Sequence, residues 1–164
     1  MNIKGKTIVY IDMANLSIES RKKNIIIDMF LMYTWLIDKY VADEVYIFTG
    51  YLNKYKEEYD TNSKIGYKYI FKEVIFNKDE YKIKANCDVD IAIQGTIDTI
   101  NHNLNRAILI TSDGDFLSLI KFWLSKIVIV SIISPANPDK CSYLLKKRQF
   151  TYNIFKSNSF KNYK

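Results

Sequence analysis

Histidine is nearly missing from this 164-residue chain: there is one, His102. Histidine-based triads and dyads and multi-histidine metal sites are left little or no material. Cysteine is almost as scarce, and Cys87 and Cys141 make neither a disulfide framework nor a zinc-ligand spacing. A cytoplasmic location is therefore the default expectation. No apolar stretch approaches the ~20 residues that span a bilayer; the stretch 127–133 is strand length. The N-terminus shows no signal-peptide pattern, and no membrane partner is expected. Arginine, glycine (five) and proline (two) are also few, whereas Lys, Ile, Asn and Tyr abound, so single Lys or Tyr residues carry little weight.

What is present is a globular composition, 48% apolar and 26% charged. A chain of this length buries roughly 70% of its unfolded surface and needs no staples. We expect one domain over residues 1–155 and a polar, basic tail, frayed, at 156–164. Charge is unevenly spread. Residues 1–115 carry 15 basic and 17 acidic side chains, a net of −2, while 116–164 carry nine basic and one acidic, a net of +8. The last third is either a surface for a polyanion or a matter of solubility.

Short apolar runs alternate with amphipathic stretches. Strands are expected at 7–11, 44–49, 67–75, 107–111 and 127–133, and helices at 25–40, 51–59, 88–104, 116–124 and 140–147. Residues 77–86 read as a polar loop. Such alternation calls for a parallel sheet covered on both faces.

The acids are placed tellingly. Asp12 follows the run Ile8-Val9-Tyr10-Ile11, and Asp113 and Asp115 follow Ile108-Leu109-Ile110-Thr111. Asp88 and Asp90 open the helix after the third strand. Ligands of open α/β sheets bind at the carboxyl ends of strands where strand order reverses. If the first and fourth strands are neighbours there, Asp12, Asp113 and Asp115 converge and Asp88 reaches in. Converging carboxylates want a cation, and hard oxygen ligands suit Mg²⁺ or Mn²⁺. A site of that kind without His or Cys points to phosphoryl chemistry on an anionic substrate. Without these five acids, the rest of the chain is 24 basic against 13 acidic. Helix capping is an equal claim on Asp88, Ser112 or Asp113, whereas Asp12 has no evident structural duty.

Val9-Tyr10-Ile11-Asp12-Met13-Ala14-Asn15-Leu16 resembles the first motif of the NYN domain family, LabA-like members of the PIN-like superfamily. Lys84-Ala85-Asn86-Cys87-Asp88-Val89-Asp90-Ile91 resembles its central motif. Thr111-Ser112-Asp113-Gly114-Asp115-Phe116, with Leu119-Ile120, resembles its third. Three motifs in order are specific where one is weak. The resemblance implies an α/β fold, a PIN-like three-layer α/β/α sandwich on a central, mostly parallel five-stranded sheet. It also implies a metal-dependent ribonuclease, with RNA preferred over DNA on the resemblance alone. Carried over, Asp12, Asp88, Asp113 and Asp115 are the metal ligands and catalytic acids, and Asn15 orients Asp12 or contacts a phosphate. The pattern is departed from in three ways: Met13 for Gly, Thr111-Ser112 for Ser-Gly, and Gln94 for a further acid, for which Asp90 is a poorly placed substitute.

Among the remaining candidates, Lys84 either contacts a phosphate or is a solvated loop lysine. Tyr51, Tyr55 and Tyr59 share i, i+4 spacing; packing is their commoner use, and Tyr51 is the one expected to face the cleft. Lys146, Lys147 and Arg148 either clamp RNA phosphates or end a solvated helix. The reading is an Mg²⁺- or Mn²⁺-dependent endoribonuclease for single-stranded or locally unpaired RNA. The alternatives are a non-catalytic RNA-binding module, for which Gln94 speaks, and a toxin-like nuclease held by an acidic protein partner; self-association stays open.

Overall fold

The computed structural model describes residues 5–77, 82–84, 86–101, 103–137, 142, 151–153 and 161–163. His102, Cys141, the trio 146–148 and all of the expected helix 140–147 except Ser142 lie outside the described residues.

Three consecutive βα units make the first half. β1 (Lys6–Asp12) leads into α1 (Met13–Lys22); a short β2 (Ile25–Ile27) precedes α2 (Met29–Tyr40); β3 (Glu44–Gly50) is followed by a 3₁₀ turn at Asn53–Tyr55 and α3 (Lys56–Ile65). Then come β4 (Lys68–Lys72), the hairpin β5 (Ile75–Asn77) and β6 (Lys82–Lys84), and α4 (Asp88–Asn101). β7 (Leu104–Ile110), a 3₁₀ turn at Gly114–Phe116, α5 (Leu117–Ser125), β8 (Ile129–Ser134), β9 (Thr151–Asn153) and β10 (Lys161–Tyr163) complete the chain.

The main sheet runs β4-β3-β1-β7-β8, all parallel, and the short β9 extends it beyond β8. The five-stranded parallel centre is the expected one. The chain winds outward from β1 in both directions, so strand order reverses between β1 and β7.

Side chains of a strand alternate between faces, and β1 shows why both faces are covered. Ile8 and Tyr10 enter one core with Ile91, Leu119 and Trp123 of α4 and α5, while Val9 and Ile11 enter the other with Leu16, Met32 and Leu36 of α1 and α2. All four β1 residues are fully buried, which is the apolar run that reads as a parallel strand. Gly95 lets α4 and α5 close: an added Cβ would stand 2.6 Å from the Trp123 ring, whose indole N–H donates to Gly95 O at 3.2 Å.

Several local expectations change. Residues 25–27 are strand, not helix, because they pair antiparallel with β10; Asp28 then caps α2 through Leu31 N–H at 3.0 Å. The tail is not wholly frayed, since 161–163 supply that partner. α1 has a weak apolar pattern, burying only Leu16, Glu19 and Ser20, and the periodicity does not announce it. The 67–75 strand divides into β4 and β5, and the loop 77–86 holds the β5–β6 pairing. On α4 the inward face is Ile91, Gly95 and Asp98, while Ile97 and Ile100 are exposed.

Candidate metal centre

Asp12 is the last residue of β1 and the N-cap of α1. Its Oδ1 accepts the Asn15 N–H (3.1 Å) and its Oδ2 accepts the Thr111 hydroxyl (3.0 Å). It therefore does have a structural duty, contrary to the sequence expectation. The same geometry aims a nearly buried carboxylate at the β1–β7 crevice. Burial raises its pKa from the ordinary value, the two hydrogen bonds oppose this, and the charges of Asp88 and Asp113 add to it.

The turn after β7 is braced from both sides. Thr111, fully buried, donates to Asp12 and accepts the Asp113 N–H at 3.2 Å. Asn15 Oδ1 accepts both the N–H (3.1 Å) and the hydroxyl (2.7 Å) of Ser112. Asp113 caps the 3₁₀ turn by accepting the Asp115 N–H at 3.0 Å. These contacts hold the main chain so that both Asp113 and Asp115 project from the carboxyl edge.

Asp88 arrives from α4. Asn86 Oδ1 accepts its N–H at 2.8 Å, fixing the start of the helix. One carboxylate oxygen from each of Asp88, Asp113 and Asp115 lies within 4.8 Å of the others. Burial pushes the Asp88 carboxyl up, and the charges of Asp113 and Asp115 push it further, against a hydrogen bond from Asn86 and the more distant Lys72. Among the described residues no Lys or Arg forms an ion pair with these three acids. Three mutually repelling hard-oxygen donors without a cationic side chain fit a divalent ion such as Mg²⁺ or Mn²⁺.

Other expected residues fall elsewhere. Asp90 turns to β4, where Lys72 Nζ stands 3.3 Å from its Oδ2, so it does not substitute for the missing family acid. Gln94 Nε2 donates to Asp98 Oδ1 at 2.9 Å, within α4, and is not brought to the triad. Tyr51 is 41% exposed past the end of β3. It precedes the helix, so the i, i+4 relation of Tyr51, Tyr55 and Tyr59 is not helical, although the rings still gather. Lys84 lies on β6 opposite Ile75, and its side chain is outside the described residues. Burial raises the Cys87 thiol to about 11, the behaviour of an unreactive cysteine.

Two contributors were given no role from sequence. Thr111 is the buried hinge of the cleft, and Lys72, at the end of β4, donates to Asn86 O (2.6 Å) and clamps the start of α4. Both stand at carboxyl ends of parallel strands. That rule, applied to every strand and not only to acids, would have found them.

These features define a class: a three-layer α/β domain with an acidic, cation-seeking cleft at the point where its sheet reverses order. The chain belongs to the NYN domain family, whose model matches residues 6–153, and through it to the PIN-like nuclease superfamily. A crystal structure of a protein of unknown function from Vibrio parahaemolyticus is similar over 99% of both chains, with a TM-score of 0.75 at 18% identity, which speaks for the fold. No curated protein matches the sequence.

Proposed function

We propose that the protein is a divalent-metal-dependent endoribonuclease that hydrolyses phosphodiester bonds of single-stranded or locally unpaired RNA. The observation that carries the reading is the approach of Asp88, Asp113 and Asp115 to within 4.8 Å of one another, beside Asp12, in the β1–β7 crevice. In this reading Asp88, Asp113 and Asp115 hold the ion, Asp12 backs them, and Asn15 and Ser112 keep the two loops at fixed separation. Bound Mg²⁺ or Mn²⁺ supplies activation of water and stabilisation of the leaving oxygen. The chain's own acids would neutralise that ion and fix its place in the crevice, so that its positive charge could meet the scissile phosphate.

RNA as the substrate draws on the family and on the basic C-terminal third. The Ser142 N–H donates to Ser112 O at 3.3 Å, beside the cleft. Lys146, Lys147 and Arg148 follow within a few residues, and each residue of chain spans at most ~3.6 Å. They serve here as phosphate contacts. We take residues 1–155 as the catalytic domain, with the basic tail 156–164, acting in the cytoplasm. Among the described residues no helix is long and apolar enough to cross a membrane.

Gln94 favours a second reading, a binding module without catalysis, because its amide is spent on Asp98 rather than on the cleft. One experiment separates the two. Labelled single-stranded RNA is incubated with the pure protein and Mn²⁺, with EDTA, and with the Asp113→Asn variant. Cleavage only by the wild type with metal is the expected result. RNA binding with no cleavage under any divalent ion supports the module.

A further inference from the structure

Along the carboxyl edge from the acids, at the ends of β3 and β4, three rings are left out of the core. Tyr51, Tyr55 and Phe71 are 41%, 42% and 43% exposed. They are nevertheless held. Phe71 lies flat on Tyr69 (5.1 Å, 7°), Tyr51 stands perpendicular to Phe71 (5.2 Å, 84°), and Tyr55 leans on Tyr59 (6.4 Å, 66°). Tyr59 is the buried floor, and its hydroxyl donates to Gly50 O at 3.4 Å, tying the floor to the end of β3. A contiguous exposed aromatic patch on a fixed support marks a binding surface.

Its position is set by the sheet register. Phe71 pairs with Thr49, and Phe48 pairs with Asp12. β4 and β1 stand two places apart in the sheet, about 10 Å at about 4.8 Å per strand; Phe71, out of phase with Asp12, leaves by the face that carries α3 and Asp12 by the face that carries α4, so the patch and the acids flank the same carboxyl edge from its two sides. Lys72, next to Phe71, points to the α4 face, where it holds Asn86 O and Asp90. Lys54 Nζ lies 4.8 Å from the Tyr55 ring centre, so cations and rings interleave. Glu57 and Glu58 open α3 nearby, which leaves the patch close to neutral. Its attraction comes from the rings more than from charge.

We propose that Tyr51, Tyr55 and Phe71 form a stacking platform for the bases of single-stranded RNA on one side of the scissile phosphate, an inference that rests on the nuclease reading of the cleft. Every base has a π-face, so such a platform tolerates any sequence. Paired bases cannot be splayed onto it, so it selects single strands over duplex.

The test measures binding of a labelled single-stranded RNA in EDTA, where hydrolysis is silent. Tyr51→Ala, Tyr55→Ala and Phe71→Ala should each weaken binding roughly fivefold or more, and Tyr51→Phe and Tyr55→Phe should keep it. The dependence of affinity on salt should keep its slope, because no phosphate contact is lost. On an abasic strand of equal length, the wild type and the alanine variants should bind alike. Mn²⁺ binding by each variant, measured calorimetrically, checks that the neighbouring cleft is still folded. Unchanged RNA affinity in all three alanine variants overturns the platform and leaves the patch to a protein partner. Equal losses on the abasic strand, or a wild type that binds no single-stranded RNA, overturn it too. Cleavage with Mn²⁺, read in parallel, keeps the two proposals apart. Ring-dependent binding without cleavage retains the platform and fails the nuclease, and cleavage with ring-independent binding does the reverse.

Discussion

Asp88 and Asp98 sit on the same helix and meet opposite surroundings. Asp88, half-buried, faces Asp113 and Asp115, and its carboxyl is pushed up by burial and by those two charges. Asp98 is fully buried, yet both its oxygens are satisfied: Tyr10 donates to Oδ2 at 2.8 Å and Gln94 to Oδ1 at 2.9 Å. Burial alone therefore does not leave an acid in need of a cation; the convergence of like charges does. The cleft keeps an electrostatic debt that a cation can discharge, while the core acid joins α4 to β1 with no need of a ligand.

Four outcomes test this contrast, the largest first. Asp113→Asn should lower cleavage on the order of 10²-fold or more with the fold intact, because it removes one charge from the set that holds the metal. Activity equal to the wild type, measured with labelled RNA and Mn²⁺, would place the chemistry elsewhere.

Metal binding comes next. Mn²⁺ at about 100 times its dissociation constant should add about 2.7 kcal/mol to wild-type stability and raise Tm by several degrees. Asp113→Asn and Asp88→Asn should lose most of that gain in the same thermal melts, whereas Asp98→Asn should keep it.

The core acid should report in stability. Asp98→Ala leaves the buried Tyr10 hydroxyl without its acceptor and should cost about 1–3 kcal/mol. Tyr10→Phe in the same chain should add little further loss, since it removes the orphaned group. Denaturant unfolding of the two single variants and the double variant gives the coupling, and full additivity would deny the pairing.

The smallest effect is on pH. The carboxyls of Asp12 and Asp88 lie above the ordinary 3.8 in the folded protein. Between the unfolded and folded values the native state holds more protons, so metal-free stability from these two groups falls as pH rises through that window. It is regained as pH drops back toward 3.8. Asp12→Asn should flatten that part of the metal-free profile, and saturating Mn²⁺ should erase it. A wild-type profile indifferent to Mn²⁺ would mean that no ion is held beside these acids.

Much of the candidate site was legible in the sequence. Asp12, Asp113 and Asp115 can be found from strand runs followed by acids, because a parallel strand covered on both faces leaves an uninterrupted apolar signature and its carboxyl end is where polar residues must emerge; Asp88 can be found as the acid that opens an amphipathic helix. The acid missing at Gln94 was legible only through the family resemblance. What Gln94 does instead was not, because its partner Asp98 is itself held by Tyr10, 88 positions away in the chain. The capping role of Asp12 was missed because α1 buries little and its pattern is weak.

The sequence by itself determined the class of fold, the alternation of strand and helix and the acids that end β1 and β7, since each follows from local periodicity and from what can be buried. Tertiary structure alone decided which acids meet. It also decided that 25–27 is a strand because β10 lies beside it, that Lys72 clamps the start of α4, and that Tyr51, Tyr55 and Phe71 collect into one patch. Each of these is a pairing between distant segments. A local pattern states what a residue prefers to bury or expose, but the partner it meets is set by the register of strands and the packing of helices across the whole sheet.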